Sequence, residues 1–157
     1  METSLGLKAT ATKKIAGHLN ALLADEYLFL TKLLNYHWNI TGPYFFPLHK
    51  LLDDQYKEVF EMIDALAERT RSLGYPTLGT LQEFSKTTRL QEHPGKLPSA
   101  LDMVKELVLD HEAIIKILRS EIPEIEDLGD FGTMDFLTGV MEQHEKMAWF
   151  LRAHLQK

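Results

Sequence analysis

The stretch that decides the fold runs from residue 37 to residue 74 and reads HWNITGPYFFPLHKLLDDQYKEVFEMIDALAERTRSLG. Its apolar residues recur at the spacing of one helix face: Leu48, Leu52, Val59, Met62, Ile63, Leu66 and Leu73. Thr41-Gly42-Pro43 precedes this pattern and Gly74-Tyr75-Pro76 follows it, and such residues commonly end helices. Since Pro47 suits a first helical turn, the stretch predicts one long amphipathic helix that begins near Pro47.

A second stripe on the same predicted helix carries four side chains that can bind metal: His49, Asp53, Asp64 and Glu68. They form two pairs, and the members of each pair lie four residues apart, so that they share a helix face. Eleven residues separate Asp53 from Asp64, which is roughly 16 Å of helix at ~1.5 Å per residue. Because one metal centre cannot span that distance, joint metal binding requires a second copy of the chain.

The geometry of the second copy follows from symmetry. The two pairs are symmetric about Glu58–Val59, so an antiparallel copy related by a two-fold axis there would build two equivalent sites at the interface. Tyr56 and Phe60 lie between the pairs and suit a dry contact. His37, at the end of the preceding helix, adds a further ligand. Mixed imidazole and carboxylate ligands favour Fe(II) or Zn.

Other interpretations of these residues compete with a metal site shared between two chains. Carboxylates on a helix are usually solvated, and the stripe alone is compatible with a polar dimer seam on a plain helical bundle. An internal di-iron site of the Glu-x-x-His type is disfavoured, since the chain contains no such motif.

Helical periodicity extends over nearly the whole chain. The pattern predicts helices at residues 9–38 and from Pro47 to about Leu73, a short helix at 80–88, a third long helix from Ser99 to Ile122, and a fourth over 137–155. Pro123 is expected to kink or end the third, and the acidic segment 121–130 to connect it to the fourth. This predicts an all-α four-helix bundle with a short extra helix in the connection between helices two and three.

Size and composition are those of one domain, with a short tail at residues 1–8 and the bundle at 9–157. The chain has 157 residues, 45% hydrophobic and 25% charged, and no cysteine, which fits a reducing compartment. We find no secretion signal and no apolar run of ~18 residues, so we expect no membrane association and a cytoplasmic location. The net charge of −6 argues against a nucleic-acid surface.

Three polar residues fall at core-type positions of different helices: Glu26, His111 and His144. They are candidates for an internal metal or proton site, but the favoured interpretation is that they are hydrogen-bonded core residues or lie at a solvated end of the bundle.

The acidic residues near the fourth helix allow a further hypothesis. Such residues are usually solvated, but in a closed assembly Glu126, Asp130 and Asp135 would form a candidate iron uptake pore, because carboxylate rings attract cations. Trp38 directly follows a candidate ligand, so it is either a core or interface residue or an electron donor near the site.

The chain resembles the Dps family (DNA-binding proteins from starved cells) of the ferritin-like superfamily in an ordered set of motifs: His37-Trp38-Asn39-Ile40-Thr41-Gly42, Phe45-Phe46-x-Leu48-His49, Asp53, Asp64-x-x-Ala67-Glu68-Arg69 and Leu73-Gly74. The resemblance implies a ferritin-like bundle. It also implies a ferroxidase site with His37, His49 and Asp53 from one subunit and with Asp64 and Glu68 from its two-fold partner.

The same resemblance implies an activity. Such a ferroxidase, an oxidoreductase acting on metal ions, oxidises Fe(II) to Fe(III) with hydrogen peroxide in preference to oxygen. It deposits ferric oxide-hydroxide mineral in a hollow dodecamer built from two-fold dimers and thereby protects the cell and its DNA. Zn is a possible competitor at the site.

DNA binding is the family property least supported here. The tail before residue 9 has Lys8 as its only basic side chain, and phosphate contacts dominate non-specific affinity for DNA. We therefore expect DNA binding to be weak or absent. The alternative function is a DNA-packing, nucleoid-associated, immunomodulatory or surface-interaction shell in which iron chemistry is secondary.

Overall fold

The computed structural model describes residues 4–156. Its helices are α1 (Ala9–Asn39), α2 (Phe45–Ser72), α3 (Leu81–Thr87), α4 (Ala100–Asp127) and α5 (Phe131–Ala153), with no strand in the described part of the chain. The long helices pack as two hairpins, α1 with α2 and α4 with α5, and α1 also contacts α3 and α4. The predicted all-α bundle, with a short helix between its second and third long helices, is confirmed.

The hairpin of α1 and α2 is antiparallel. At one end the hydroxyls of Thr12 and Tyr75 lie 3.2 Å apart, and at the other the ring of His37 stacks on that of His49. Between these ends the inward stripes of both helices are buried, and each fully buried Leu or Phe side chain contributes about 1.5–3 kcal/mol relative to an exposed one. The pairing therefore brings the end of α1 against the start of α2.

The long connection between α2 and α4 is tied down by charge as well as by packing. Asp25, fully buried on α1, accepts hydrogen bonds from the backbone N–H of Arg89 and from its guanidinium, at 2.6 and 2.8 Å. The same guanidinium pairs with Glu121 on α4 at 2.6 Å. In α3, the ring of Phe84 stacks on Tyr27 with centroids 4.2 Å apart. Arg89 thus joins α1 and α4 across the connection.

The third long helix continues past Pro123, which corrects the predicted position of the acidic connection. α4 contains Pro123 and ends at Asp127, so most of the segment 121–130 is helical. Glu121 is buried and ion-paired rather than solvated. Proline lacks an N–H, but the surrounding tertiary packing supports the helix across it. The turn to α5 is therefore only three residues long, Leu128–Asp130.

Asp130 is a structural residue of that turn. Its carboxylate caps α5 by accepting the backbone N–H of Thr133 at 3.0 Å, and it also pairs with Arg69 at 2.8 Å. The side chain is only 4% exposed, so it is not free to line a pore as the sequence suggested. Glu126 and Asp135 are exposed.

None of the helices in the described part of the chain is both long enough and apolar enough to cross a membrane.

We expect Asp130→Ala to lower the free energy of unfolding by about 2 kcal/mol, because it removes a helix cap and the partner of Arg69. Asp135→Ala removes an exposed carboxylate from the same helix and should change stability by less than about 0.5 kcal/mol. Urea denaturation followed by circular dichroism measures both. Equal stability of the two variants would contradict the structural role of Asp130.

Candidate metal centre

The candidate centre begins with a pair of histidines, His37 in the last turn of α1 and His49 in the first turns of α2, which we call the histidine pair. Each ring bonds to the backbone of the other residue. Nδ1 of His37 lies 3.0 Å from the carbonyl oxygen of His49, and Nδ1 of His49 lies 2.9 Å from that of His37. The two rings are stacked, with centroids 3.9 Å apart.

These two hydrogen bonds determine which ring nitrogens carry hydrogen. A carbonyl oxygen can only accept, so Nδ1 must be the protonated nitrogen in both rings. In the neutral imidazole the lone pair is then on Nε2, which is the nitrogen left to bind a metal ion. Histidine ligands in metalloproteins are commonly held by a hydrogen bond of this kind from their other nitrogen. The histidine pair therefore has the tautomer that a metal site requires.

Aromatic rings enclose the histidine pair. Phe45 stacks on His49 with centroids 4.9 Å apart, and Tyr56 meets His37 edge-on at 5.4 Å. Next to His37, the Tyr36 hydroxyl donates to Glu106 of α4, which anchors the end of α1. The pair is therefore held in place from α1, α2 and α4.

Asp53 lies one turn after His49, but its carboxylate is engaged by lysines. Lys57 donates to Oδ2 of Asp53 at 2.7 Å, and the ammonium of Lys50 lies 3.7 Å from the same oxygen. The hydrogen bond from Lys57 lowers the pKa of Asp53, and the Tyr56 hydroxyl acts in the same direction. Asp53 is thus held ionised, as a metal ligand must be.

Asp64 and Glu68 are exposed on the same continuous helix, so one chain does not gather all five predicted ligands. Within residues 4–156 of a single chain, no three His, Asp or Glu side chains form a group that could hold a metal ion. The structure joins His37 to His49, places Asp53 on the next turn, and leaves the carboxylate pair farther along the helix.

Three large apolar side chains on α1 and α2 are exposed to water. Trp38, Phe46 and Phe60 are 68%, 79% and 57% exposed. Large apolar side chains that are exposed beside one another can form an interaction surface, so these three are candidates for one. Trp38 is therefore not a core residue of the single chain, and its position directly after His37 keeps the electron-donor hypothesis open as a prediction.

Sequence reasoning did not include Lys57 in the site, although its distance of four residues from Asp53 is a recognisable helix ion-pair spacing. The role of Nδ1 in the histidine pair had no sequence signal, because the acceptors are backbone carbonyls.

The second predicted cluster does converge, as a hydrogen-bonded chain in the bundle core. Glu26, His111 and His144 are fully buried. Nε2 of His144 lies 2.8 Å from Oε1 of Glu26, and the Nδ1 atoms of the two histidines lie 2.8 Å apart. Within the described residues the trio is therefore a hydrogen-bonded polar network in the bundle core.

Comparisons with known proteins identify the family to which the whole chain belongs. The ferritin-like domain family matches residues 16–157. A low-temperature-induced protein of Nostoc sp. is 44% identical over 98% of this chain and 86% of its own length. The DNA protection during starvation protein of Agrobacterium fabrum is 31% identical over 99% and 96%. The Dps structure from Vibrio cholerae O1, described as a member of the ferritin-like diiron-carboxylate superfamily, superposes with a TM-score of 0.92 at 30% identity, covering 99% and 98%.

The fold is therefore that of a ferritin-like protein. Within that class, the chain belongs to the Dps (DNA protection during starvation) family.

The buried trio predicts a pH dependence of stability. Burial holds the pKa of His111 well below 6.5, so the unfolded chain binds more protons than the folded one in mildly acidic solution. Stability from this group is complete above about pH 6.5 and is lost as pH falls. We expect His111→Leu to lose less stability than the wild type from about pH 7.5 to about pH 5.5, measured by urea denaturation.

His18 provides a control of opposite sign. Its hydrogen bond to Glu121 raises the pKa of His18, so its stabilisation is present below about pH 6.5 and is lost as pH rises. His18→Gln should therefore lose more stability on acidification than the wild type. An unchanged pH slope in His111→Leu would refute the assignment of the acid sensitivity to His111.

Proposed function

We propose that this protein stores and detoxifies iron as a ferroxidase, oxidising Fe(II) at sites shared between two-fold-related subunits. The observation that carries the proposal is the histidine pair, in which both Nδ1 atoms are bound to backbone carbonyls and both Nε2 atoms remain for metal. Membership of the Dps family and likeness to a protein described as a diiron-carboxylate protein support it.

The shape of α2 supports a site shared between two chains. His37, His49 and Asp53 form one half, and Asp64 and Glu68 of the partner subunit form the other. The exposed Trp38, Phe46 and Phe60 would be covered by the same contact. An interface of this kind repeats by symmetry and gives two equivalent sites per dimer.

The chemistry proposed for the site is a balanced two-electron reaction. Two Fe(II) ions each give one electron to hydrogen peroxide, the O–O bond breaks, and two protons complete two molecules of water. Because both electrons are delivered together, hydroxyl radical is not released, which is how cell and DNA would be protected. Carboxylate oxygens are hard ligands and favour the Fe(III) product.

Storage requires a closed assembly, and we propose a hollow dodecamer that holds ferric oxide-hydroxide mineral in the cytoplasm. A net charge of −6 per chain attracts cations, and Glu126 and Asp135 remain exposed for an uptake pore. Glu58, Glu61 and Asp135 line one groove between α2 and α5 and are candidates for mineral nucleation. Trp38 would supply an electron when a single Fe(II) meets the oxidant.

The activity is tested by stopped-flow absorbance of Fe(II) oxidation, with peroxide and with oxygen at the same iron load. We expect rapid oxidation by peroxide in the wild type and at least about a 100-fold slower reaction in His37→Ala, as for loss of an essential site component. His93→Ala, which removes an exposed histidine outside the centre, should react like the wild type. Wild-type oxidation no faster than in buffer would refute the proposal.

DNA binding is expected to be weak. Lys14 lies in the first turns of α1 and is paired with Glu124 at 2.9 Å, so its charge is partly neutralised. Since counterion release from phosphate contacts provides most non-specific affinity, we expect no shift of plasmid DNA in a gel at ~150 mM salt. A clear shift at that salt concentration would favour the alternative, a DNA-packing shell.

A further inference from the structure

We propose that Lys57 acts as a resident cation of the metal centre: its ammonium occupies Asp53 until a metal ion displaces it, and so it sets the affinity of the site. The inference rests on the proposed function. It comes from one contact, the 2.7 Å hydrogen bond from Nζ of Lys57 to Oδ2 of Asp53.

The position of Lys57 makes the competition direct. His49, Asp53 and Lys57 are spaced four residues apart and lie on one stripe of α2. Of the three proposed carboxylate ligands, Asp53 is the one that lies one turn after His49 on the same helix. An ammonium and a metal ion are both cations and repel each other on one carboxylate, so binding through Oδ2 must weaken or break the contact with Lys57.

A second copy of the chain would bring further carboxylates to the proposed site. The proposed shared site collects three carboxylates, Asp53 together with Asp64 and Glu68 of the partner subunit. Without metal these like charges repel each other. Lys57 is a cation built into the helix at the edge of that cluster, and it offsets part of the repulsion until iron arrives.

An ordinary surface ion pair on the same protein provides the comparison. Lys105 donates to Asp102 at 2.7 Å, and its side chain is 60% exposed, against 59% for Lys57. The acceptors differ, since Asp53 is 23% exposed and Asp102 is 53% exposed. A second ammonium, that of Lys50, also approaches Oδ2 of Asp53, at 3.7 Å. The carboxylate that Lys57 contacts is therefore less accessible to water than the carboxylate that Lys105 contacts.

The test measures metal binding without iron oxidation. Co(II), which is stable in air at such sites and absorbs in the visible when bound by imidazole and carboxylate, is titrated into the assembled protein. We expect Lys57→Gln to bind Co(II) about two- to five-fold more tightly than the wild type, the range for loss of a competing surface ion pair. Lys57→Arg keeps the charge and should stay close to the wild type.

Two controls make the result specific. Lys105→Gln removes the same charge from the matched pair on α4, outside the proposed ligand set, and should leave the affinity for Co(II) unchanged. His37→Ala should abolish the visible signal, which assigns the signal to the centre. Thermal melting of each variant in the absence of metal checks that the bundle remains folded.

The outcomes separate the two proposals. If the wild type gives a His37-dependent Co(II) signal but Lys57→Gln binds with equal or weaker affinity, the role of Lys57 is refuted and the metal centre stands. If the wild type binds no Co(II) at a His37-dependent site, the proposed metal centre itself fails, and the role of Lys57 fails with it.

Discussion

The continuity of α2 constrains everything else in this molecule. Phe45–Ser72 is one uninterrupted helix, so His49 and Asp53 near its start cannot reach Asp64 and Glu68 farther along it. A helix of this length is stiff, and its rise of ~1.5 Å per residue separates the pairs by far more than a metal site spans. The proposed ligand set is therefore divided by the fold itself, and a symmetric contact between two chains is the simplest way to complete it.

The packing of the bundle brings together the residues of the proposed ligand set that a single chain would supply at one site. α1 runs antiparallel to α2 and delivers His37 to His49, and the two residues then bind each other's backbone carbonyls. Arg89 ties α1 to α4 through Asp25 and Glu121, and Asp130 begins α5 while holding Arg69 of α2. Charged groups that are costly to bury are thus paired, and these pairs join separate elements of the fold.

Much of the fold and part of the candidate site were predictable from the sequence, because their causes are local. Helical periodicity, the glycine and proline residues after Asn39 and Ser72, and the four-residue spacing of His49 and Asp53 are readable one turn at a time. The failures involved tertiary contacts. The residues around Pro123 give no local signal that α4 continues to Asp127. The residues around Asp130 give no local signal that its carboxylate pairs with Arg69. The tautomer of the histidine pair depends on backbone acceptors, which leave no mark in the sequence.

The central claim, that two chains complete one site, is tested most directly by mixing two inactive variants. Asp53→Ala damages one half of each site and Glu68→Ala damages the other. If the sites are shared, random mixed dimers contain some intact sites, and the refolded mixture should recover about one quarter of the wild-type rate of Fe(II) oxidation, by the statistics of two-fold pairing. A mixture no more active than its parents would contradict a site shared between two chains.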